Sequence, residues 1–167
     1  MDRQEFEYEY GKVKDRLFTF LLRLSGDAEE AGEVLQEAVY RAYRQRKSFQ
    51  ARSSFSTWVY SIAMNVWKNE KRKSNRLLPL EESGAGSLRT SNPTPEDHAA
   101  TREKGRILKA GLEKLSEGYR MPFLLKHLEG FSYREISQLL EIGEEAARVR
   151  VYRARHALRA MLKEMEI

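Results

Sequence analysis

The feature that most constrains this chain is a break near its middle. Pro, Gly and Ser concentrate between Asn75 and Pro95, and the run Glu82-Ser83-Gly84-Ala85-Gly86-Ser87 has almost nothing to bury. Such a run reads as a flexible tether. The long segments on either side show helical periodicity, and none alternates as a strand would. With 167 residues, the expectation is an all-α chain of two small helical domains joined by a flexible linker. The boundaries fall at residues 1–74, 75–104 (a linker running into the next domain's first helix) and 105–167.

In the first half, Phe6, Tyr10, Val13, Leu17, Leu21 and Leu24 form one apolar face. Ser25-Gly26 ends that helix. Asp27 is placed to cap the next one, with Glu30 in capping-box position. This second helix runs to about Tyr43, with Ala31, Leu35, Ala38 and Ala42 inward, and a third extends from about Ser56 to Lys73 with Val59, Ile62, Ala63 and Val66 inward. Beyond the linker, Thr94-Pro95 with Asp97 is a strong helix start. Ser116 is expected to cap the following helix, which should bend or begin late at Pro122. Gly130 ends it. Ser132 and Glu135 form a capping box that opens a short helix to Leu140, Ile142-Gly143 makes a tight turn, and a long helix follows with Ala147, Val151, Ala154, Leu158 and Leu162 inward. A short helix, a tight turn and a basic helix suggest helix-turn-helix DNA binding.

Charge supports a polyanionic partner without proving one. The net charge is +5. Residues 1–74 hold 14 basic and 11 acidic side chains (net +3), residues 75–104 are net −1, and residues 105–167 hold 12 and 9 (net +3). Cysteine is absent, which excludes disulfides and thiolate metal sites, and three scattered histidines argue against zinc. No cofactor is expected. No apolar run approaches a membrane span and the N-terminus does not read as a signal peptide, so the expected location is the cytoplasm, without membrane insertion.

Three surfaces stand out. No acid interrupts Ala146 to Lys163, and Arg148, Tyr152, Arg155 and Arg159 lie together outside the apolar stripe, with Arg150 and Arg153 nearby. Arginine forks onto guanine edges or binds phosphate, and a helix can deliver it to the major groove; a solvated arginine face is the plainer alternative. Glu144 and Glu145 suit the helix dipole, and Glu145 could also accept from cytosine. On the third helix Trp58, Asn65 and Asn69 share a face with Ser61, Lys68 and Arg72 beside it, after a polar and aromatic loop containing Phe49, Gln50, Arg52, Ser53 and Ser54. Aromatics with cations suit single-stranded DNA, and flipped bases need amides and hydroxyls. Phe49, Phe55 and Trp58 read equally as core filling. The acidic strip Asp27, Glu30, Glu33, Gln36, Glu37 and Arg41 is either a solvated face or a match for a partner's basic groove.

These residues resemble a known family. The run Arg23-Leu24-Ser25-Gly26-Asp27-Ala28-Glu29-Glu30-Ala31, with Leu35 to Tyr43, and the run Phe55-Ser56-Thr57-Trp58-Val59-Tyr60-Ser61-Ile62-Ala63-Met64-Asn65 look like region 2 of sigma-70 factors. Leu115 to Arg120, Leu128 to Ile136 and Tyr152 to Leu158 look like region 4. Sigma regions 1.1 and 3 proper have no counterpart here, which resembles the extracytoplasmic-function (ECF) subfamily. The resemblance implies a promoter-specificity subunit without catalysis, with anti-sigma control. The strip from Asp27 to Arg41 would then meet the clamp helices of the largest subunit of core RNA polymerase. The loop Phe49 to Ser54 would capture a flipped base of the −10 element, and Trp58, Ser61, Asn65, Lys68, Asn69 and Arg72 would help open and read it. The second domain would dock on the polymerase flap and place Arg134, Glu144, Glu145, Arg148, Tyr152, Arg153 and Arg155 at the −35 duplex, while the linker would take the place of region 3.2. The chain departs from the family pattern at Glu141, where glycine is usual, at Glu145-Ala146-Ala147, where Gly-Thr-Val is usual, and at Pro122. Two other readings are a stand-alone helix-turn-helix regulator, which leaves the Trp58–Asn69 face without purpose, and an enzyme. The enzyme lacks any nucleophile–base pair, phosphate loop or metal spacing.

Overall fold

A computed structural model describes residues 1–77 and 99–165. Among these residues there are seven α-helices and no strand. They are α1 (Arg3–Ser25), α2 (Ala28–Gln45), α3 (Phe55–Leu77), α4 (Ala99–Lys114), α5 (Glu117–His127), α6 (Tyr133–Leu140) and α7 (Glu144–Met165), with a 3-10 turn at Arg46–Ser48. The chain divides into two compact units, Met1–Leu88 and Arg89–Ile167. The tether Glu82 to Ser87 and the helix start at Thr94, Pro95 and Asp97 lie outside the described residues.

In the first unit α2 packs against both α1 and α3. α1 begins with a capping box the periodicity did not reveal: the Asp2 carboxylate accepts from Glu5 N, and Glu5 Oε2 accepts from Asp2 N. It ends where Gly26 adopts φ 73°, a left-handed conformation that a Cβ disfavours. Asp27 Oδ1 then accepts from Glu29 N and Glu30 N at 2.8 and 3.0 Å, capping α2. The expected box does not close. The Glu30 carboxylate instead reaches across to Lys71 Nζ on α3, at 2.8 Å.

The core is close to the expected set, with a few exchanges. Phe20 is fully buried while Tyr10 is half-buried; on α2 Val34 points inward and Leu35 lies at the margin. α3 adds Phe55, Tyr60, Met64 and Trp67 to the four expected residues. A helix flanked on two sides buries a broader stripe than one packed on a single neighbour, so a one-face wheel undercounts α3.

In the second unit α7 packs against α4, α5 and α6. Ser116 holds the N-cap position of α5 without its hydroxyl accepting any N–H. Its carbonyl accepts from Tyr119 N and Arg120 N. Pro122 does not delay the helix, which starts five residues earlier at Glu117. The ring is buried beside Met121, and the N–H it lacks would have served the carbonyl of Gly118, an exposed residue open to water. Gly130, φ 72°, ends the passage from α5, and the Ser132–Glu135 box opens α6 with both reciprocal bonds in place.

The turn from α6 to α7 is held by Ser137. Its carbonyl accepts from Ile142 N, and its hydroxyl donates to Ile142 O at 2.8 Å. Glu141 sits between them at φ 56°, ψ 43°. A non-glycine residue there costs about 1–2 kcal/mol, partly offset by the greater freedom glycine loses on folding. Glu141→Gly should therefore stabilise the second unit by about 0.5–1 kcal/mol, read as a rise in its urea unfolding midpoint at unchanged slope.

Candidate nucleic-acid interfaces

On the first unit, an aromatic cluster runs from core to surface. Phe6 meets Tyr43 and Phe55 edge-on at 5.5 and 5.6 Å. Phe55 in turn meets Phe49 at 6.0 Å and Trp58 at 5.7 Å, and Phe49 lies 5.0 Å from Trp58. Phe55 is buried, whereas Phe49 and Trp58 are half-buried at the rim. The two readings of these aromatics thus divide by residue: Phe55 fills the core, and its two partners present ring surface.

Behind this rim the chain enters a polar loop. Gln50 and Arg52 are exposed, and Ala51 takes φ 52°. Ser54 begins α3: its Oγ accepts from Thr57 N at 3.0 Å and pairs with Thr57 Oγ1 at 2.9 Å. Ser53 Oγ donates to Ser54 O, and Ser61 Oγ donates to Trp58 O at 2.6 Å. These hydroxyls are committed to the backbone. Along α3, Asn65, Asn69 and Arg72 are exposed and Lys68 is half-buried, so their helical spacing places amides and cations on one face beside Trp58.

Sequence reasoning missed the wall opposite the loop. An open groove of about 430 Å³ is lined by Met1, Glu5, Tyr8 and Glu9 from the start of the chain and by Phe49 and Phe55. Tyr8 is 68% exposed, with Lys12 Nζ 4.1 Å from its ring centre. The signal was faint because Tyr8 lies off the apolar stripe of α1.

On α2 the acidic strip splits. Asp27 caps the helix and Glu30 faces Lys71, which also lies over the Trp67 ring. Glu33 and Gln36 are exposed, and Glu37 pairs with Arg41 at 2.6 Å. Tyr40, 54% exposed, continues this outer face and receives a bond from Arg44 on its hydroxyl. Its spacing from Gln36 and Glu37 was the available clue.

On the second unit, Arg148, Tyr152, Arg153, Arg155 and Arg159 are all exposed along α7, and Arg134 is exposed on α6. Arg148 is braced: it bonds Glu144 at 2.9 Å, comes within 4.0 Å of Glu145 and lies over the Tyr133 ring. Arg155 Nη2 is 3.1 Å from His127 Nε2 on α5. Burial and the neighbouring Arg155 and Lys126 charges hold the His127 pKa below its usual value. Tyr152 projects into solvent with the His156 ring alongside. Among the described residues no cluster of His, Cys, Asp or Glu could hold a metal ion, and no helix is long and apolar enough to cross a membrane.

Both units match known protein families. The family Sigma-70 region 2 matches residues 10–77, and Sigma-70, region 4 matches residues 105–158. ECF RNA polymerase sigma factor SigW of Bacillus subtilis is 31% identical over 160 residues, 91% of this chain and 86% of SigW. The chain belongs to the ECF RNA polymerase sigma factors. As a sigma factor it directs core RNA polymerase to promoters and initiates transcription there. The ECF RNA polymerase sigma-E factor of Escherichia coli is 35% identical over 144 residues, 80% of this chain and 73% of that protein. The fold is shared with the sigma factor RpoE of Bartonella quintana, solved with the anti-sigma factor NepR (TM-score 0.81, 24% identity, 96% of this chain and 98% of that one). It is shared too with CnrH, solved with the cytosolic domain of CnrY (TM-score 0.71, 21% identity, 98% and 90%). In this sigma factor the aromatic rim and α3 belong to the region 2 match, and α6 with the α7 arginines up to Arg155 to the region 4 match.

Proposed function

We propose that the two units of this sigma factor divide promoter recognition between separated and paired DNA. Residues 1–74 would take the opened −10 strand. A base leaving the duplex would meet Phe49 and the loop Gln50 to Ser54, while Trp58 and the Asn65, Lys68, Asn69 and Arg72 face of α3 hold the strand. Residues 105–167 would grip the −35 duplex through Arg134, Glu144, Glu145, Arg148, Tyr152, Arg153 and Arg155, and residues 75–104 would connect the two. The factor contributes recognition, with the chemistry left to the polymerase. The outer face of α2 (Glu33, Gln36, Glu37 and Arg41) would meet the clamp helices, and the second unit the flap. Control by an anti-sigma protein in the cytoplasm follows from the same reading, supported by the partners of the two structural neighbours.

The observation that carries this division is the pairing of half-buried rings at Phe49 and Trp58 with an exposed amide and cation face on the same unit. Ring faces are of use only to bases that have left the stack, where each stacked base contributes about 1–3 kcal/mol. Reconstituted holoenzyme tests it. Asn65→Ala and Trp58→Ala should depress transcription from duplex templates far more than from templates already melted across the −10 element. Equal loss on both templates would show that this face does not act in opening. Asn65 is exposed, so its variant separates the effect from folding.

A further inference from the structure

We propose that His127 is a positioning residue for promoter reading: its Nε2 accepts from Arg155 and holds that guanidinium in the orientation in which it reads the duplex. The inference rests on the proposed role of α7 and goes beyond it, because His127 lies on α5 and outside the arginine face.

Arginine only donates, so the 3.1 Å contact between Arg155 Nη2 and His127 Nε2 requires a neutral imidazole with its proton on Nδ1. The imidazole is itself fixed. Its ring packs against Phe123, one turn earlier on α5, at 4.7 Å. The Arg155 contact spans 28 positions of sequence, so it fastens α7's side chain to a different helix. Arg148, the other bracketed arginine of this face, is held by carboxylates and a tyrosine ring. Arg155 has a neutral acceptor, which fixes its direction without cancelling its charge. A guanidinium bonded along one edge keeps its remaining N–H groups for a base edge or phosphate. Ordering such a side chain in advance removes a cost that binding would otherwise carry.

The arrangement also sets a pH dependence. After burial, the charges that lower the His127 pKa are Arg155 from α7 and Lys126 from its own helix, and both oppose a positive imidazole; the charged side chains of α6, also packed on α5, are Arg134 and Glu135. As pH falls, protonation removes the acceptor and sets two cations against each other. The added charge favours any phosphate, whereas the released arginine loses its direction. Base discrimination should therefore fall while general DNA affinity holds or rises.

The test uses the full chain with core RNA polymerase. The probes are the duplex most enriched from a randomised promoter pool and its single base-pair variants in the −35 window, and the readout is the affinity ratio between them. Arg155→Ala should flatten discrimination at one or two adjacent base pairs. His127→Phe, which keeps the ring and loses the acceptor, should reduce discrimination at those same pairs by about three- to tenfold. His127→Gln, which restores an acceptor oxygen, should recover most of it, and adding His127→Phe to Arg155→Ala should change nothing further. In the unaltered protein the ratio should hold through neutral pH and decline only as pH falls below the ordinary imidazole value of about 6.5, because the His127 pKa is lowered, and His127→Phe should abolish that decline. If Arg155→Ala flattens discrimination and His127→Phe leaves it intact, the positioning role is wrong and the duplex reading stands. If Arg155→Ala itself has no effect, both are wrong. A profile that stays flat in the unaltered protein down to the lowest pH at which the polymerase complex holds, which needs no substitution, would also overturn the proposal.

Discussion

Replacing Glu33 and Glu37 together by lysine should abolish the complex with core RNA polymerase while leaving the first unit folded. Both lie on the outer face of α2: Glu33 is exposed, and Glu37 is half-exposed and bonded to Arg41. Neither supports the core, which on this helix consists of Ala31, Val34, Ala38 and Ala42. Losing the exposed pair with Arg41 and gaining a like-charge neighbour costs about 0.5 kcal/mol. Against a basic partner groove the same double reversal turns attraction into repulsion. Like charges facing one another cost several kcal/mol, so affinity should fall about a hundredfold or more. Gel filtration with purified core enzyme reads the loss, and circular dichroism checks the fold. Survival of the complex would place the docking face elsewhere. A reversal at Glu30 is the poorer experiment, because Glu30 also binds Lys71 on α3 and the result would mix docking with packing.

Arg120→Ala should destabilise the second unit more than any other surface-accessible substitution there. The half-buried Arg120 side chain donates to three carbonyls at the end of α4: Leu112 O and Leu115 O at 2.7 Å and Glu113 O at 3.0 Å. These groups carry the negative end of the helix dipole, and a cation among them meets both needs. Burial lowers the Arg120 pKa, with Glu117 and Glu113 acting the other way; an arginine stays charged throughout the neutral range. Truncation removes the guanidinium from all three carbonyls, of which Leu112 O keeps the Leu115 N–H, a loss of about 2–3 kcal/mol after water recovers the others. For a unit of this size that lowers the melting midpoint by about 10 °C or more, measurable by thermal unfolding followed by circular dichroism, and it speeds hydrogen exchange of the α4 to α7 amides. Arg120→Lys keeps the charge and loses the fork, so it should recover only part. A midpoint unchanged by Arg120→Ala would show that the three bonds contribute nothing net.

The architecture was legible because its signals are local. Helix ends were written in Gly26, Asp27, Gly130, Ser132 and Glu135, and each takes the expected place. What escaped depends on partners distant in sequence. Glu30 had the right spacing for a capping box, yet Lys71, forty-one positions on, takes its carboxylate. Arg120 had no role of its own in the sequence, and only the fold brings its guanidinium to the α4 carbonyls. At the surfaces, periodicity could say which residues share a face but not what their polar atoms already bind. Ser54 and Ser61 illustrate this, for both hydroxyls are held by nearby backbone or side chain. His127 and Tyr8 lie off the motifs and emerge only when neighbouring elements are in place.

The alanines of α2 carry a consequence for how such a protein can diverge. Ala31, Ala38 and Ala42 have no exposed surface on a helix packed against both α1 and α3. Every larger side chain at those positions would act as a wedge, at about 1–3 kcal/mol each. The middle helix is therefore closed to change on its inner side, and adaptation to a different transcription machine or a different inhibitor must be written on the few outward positions that remain.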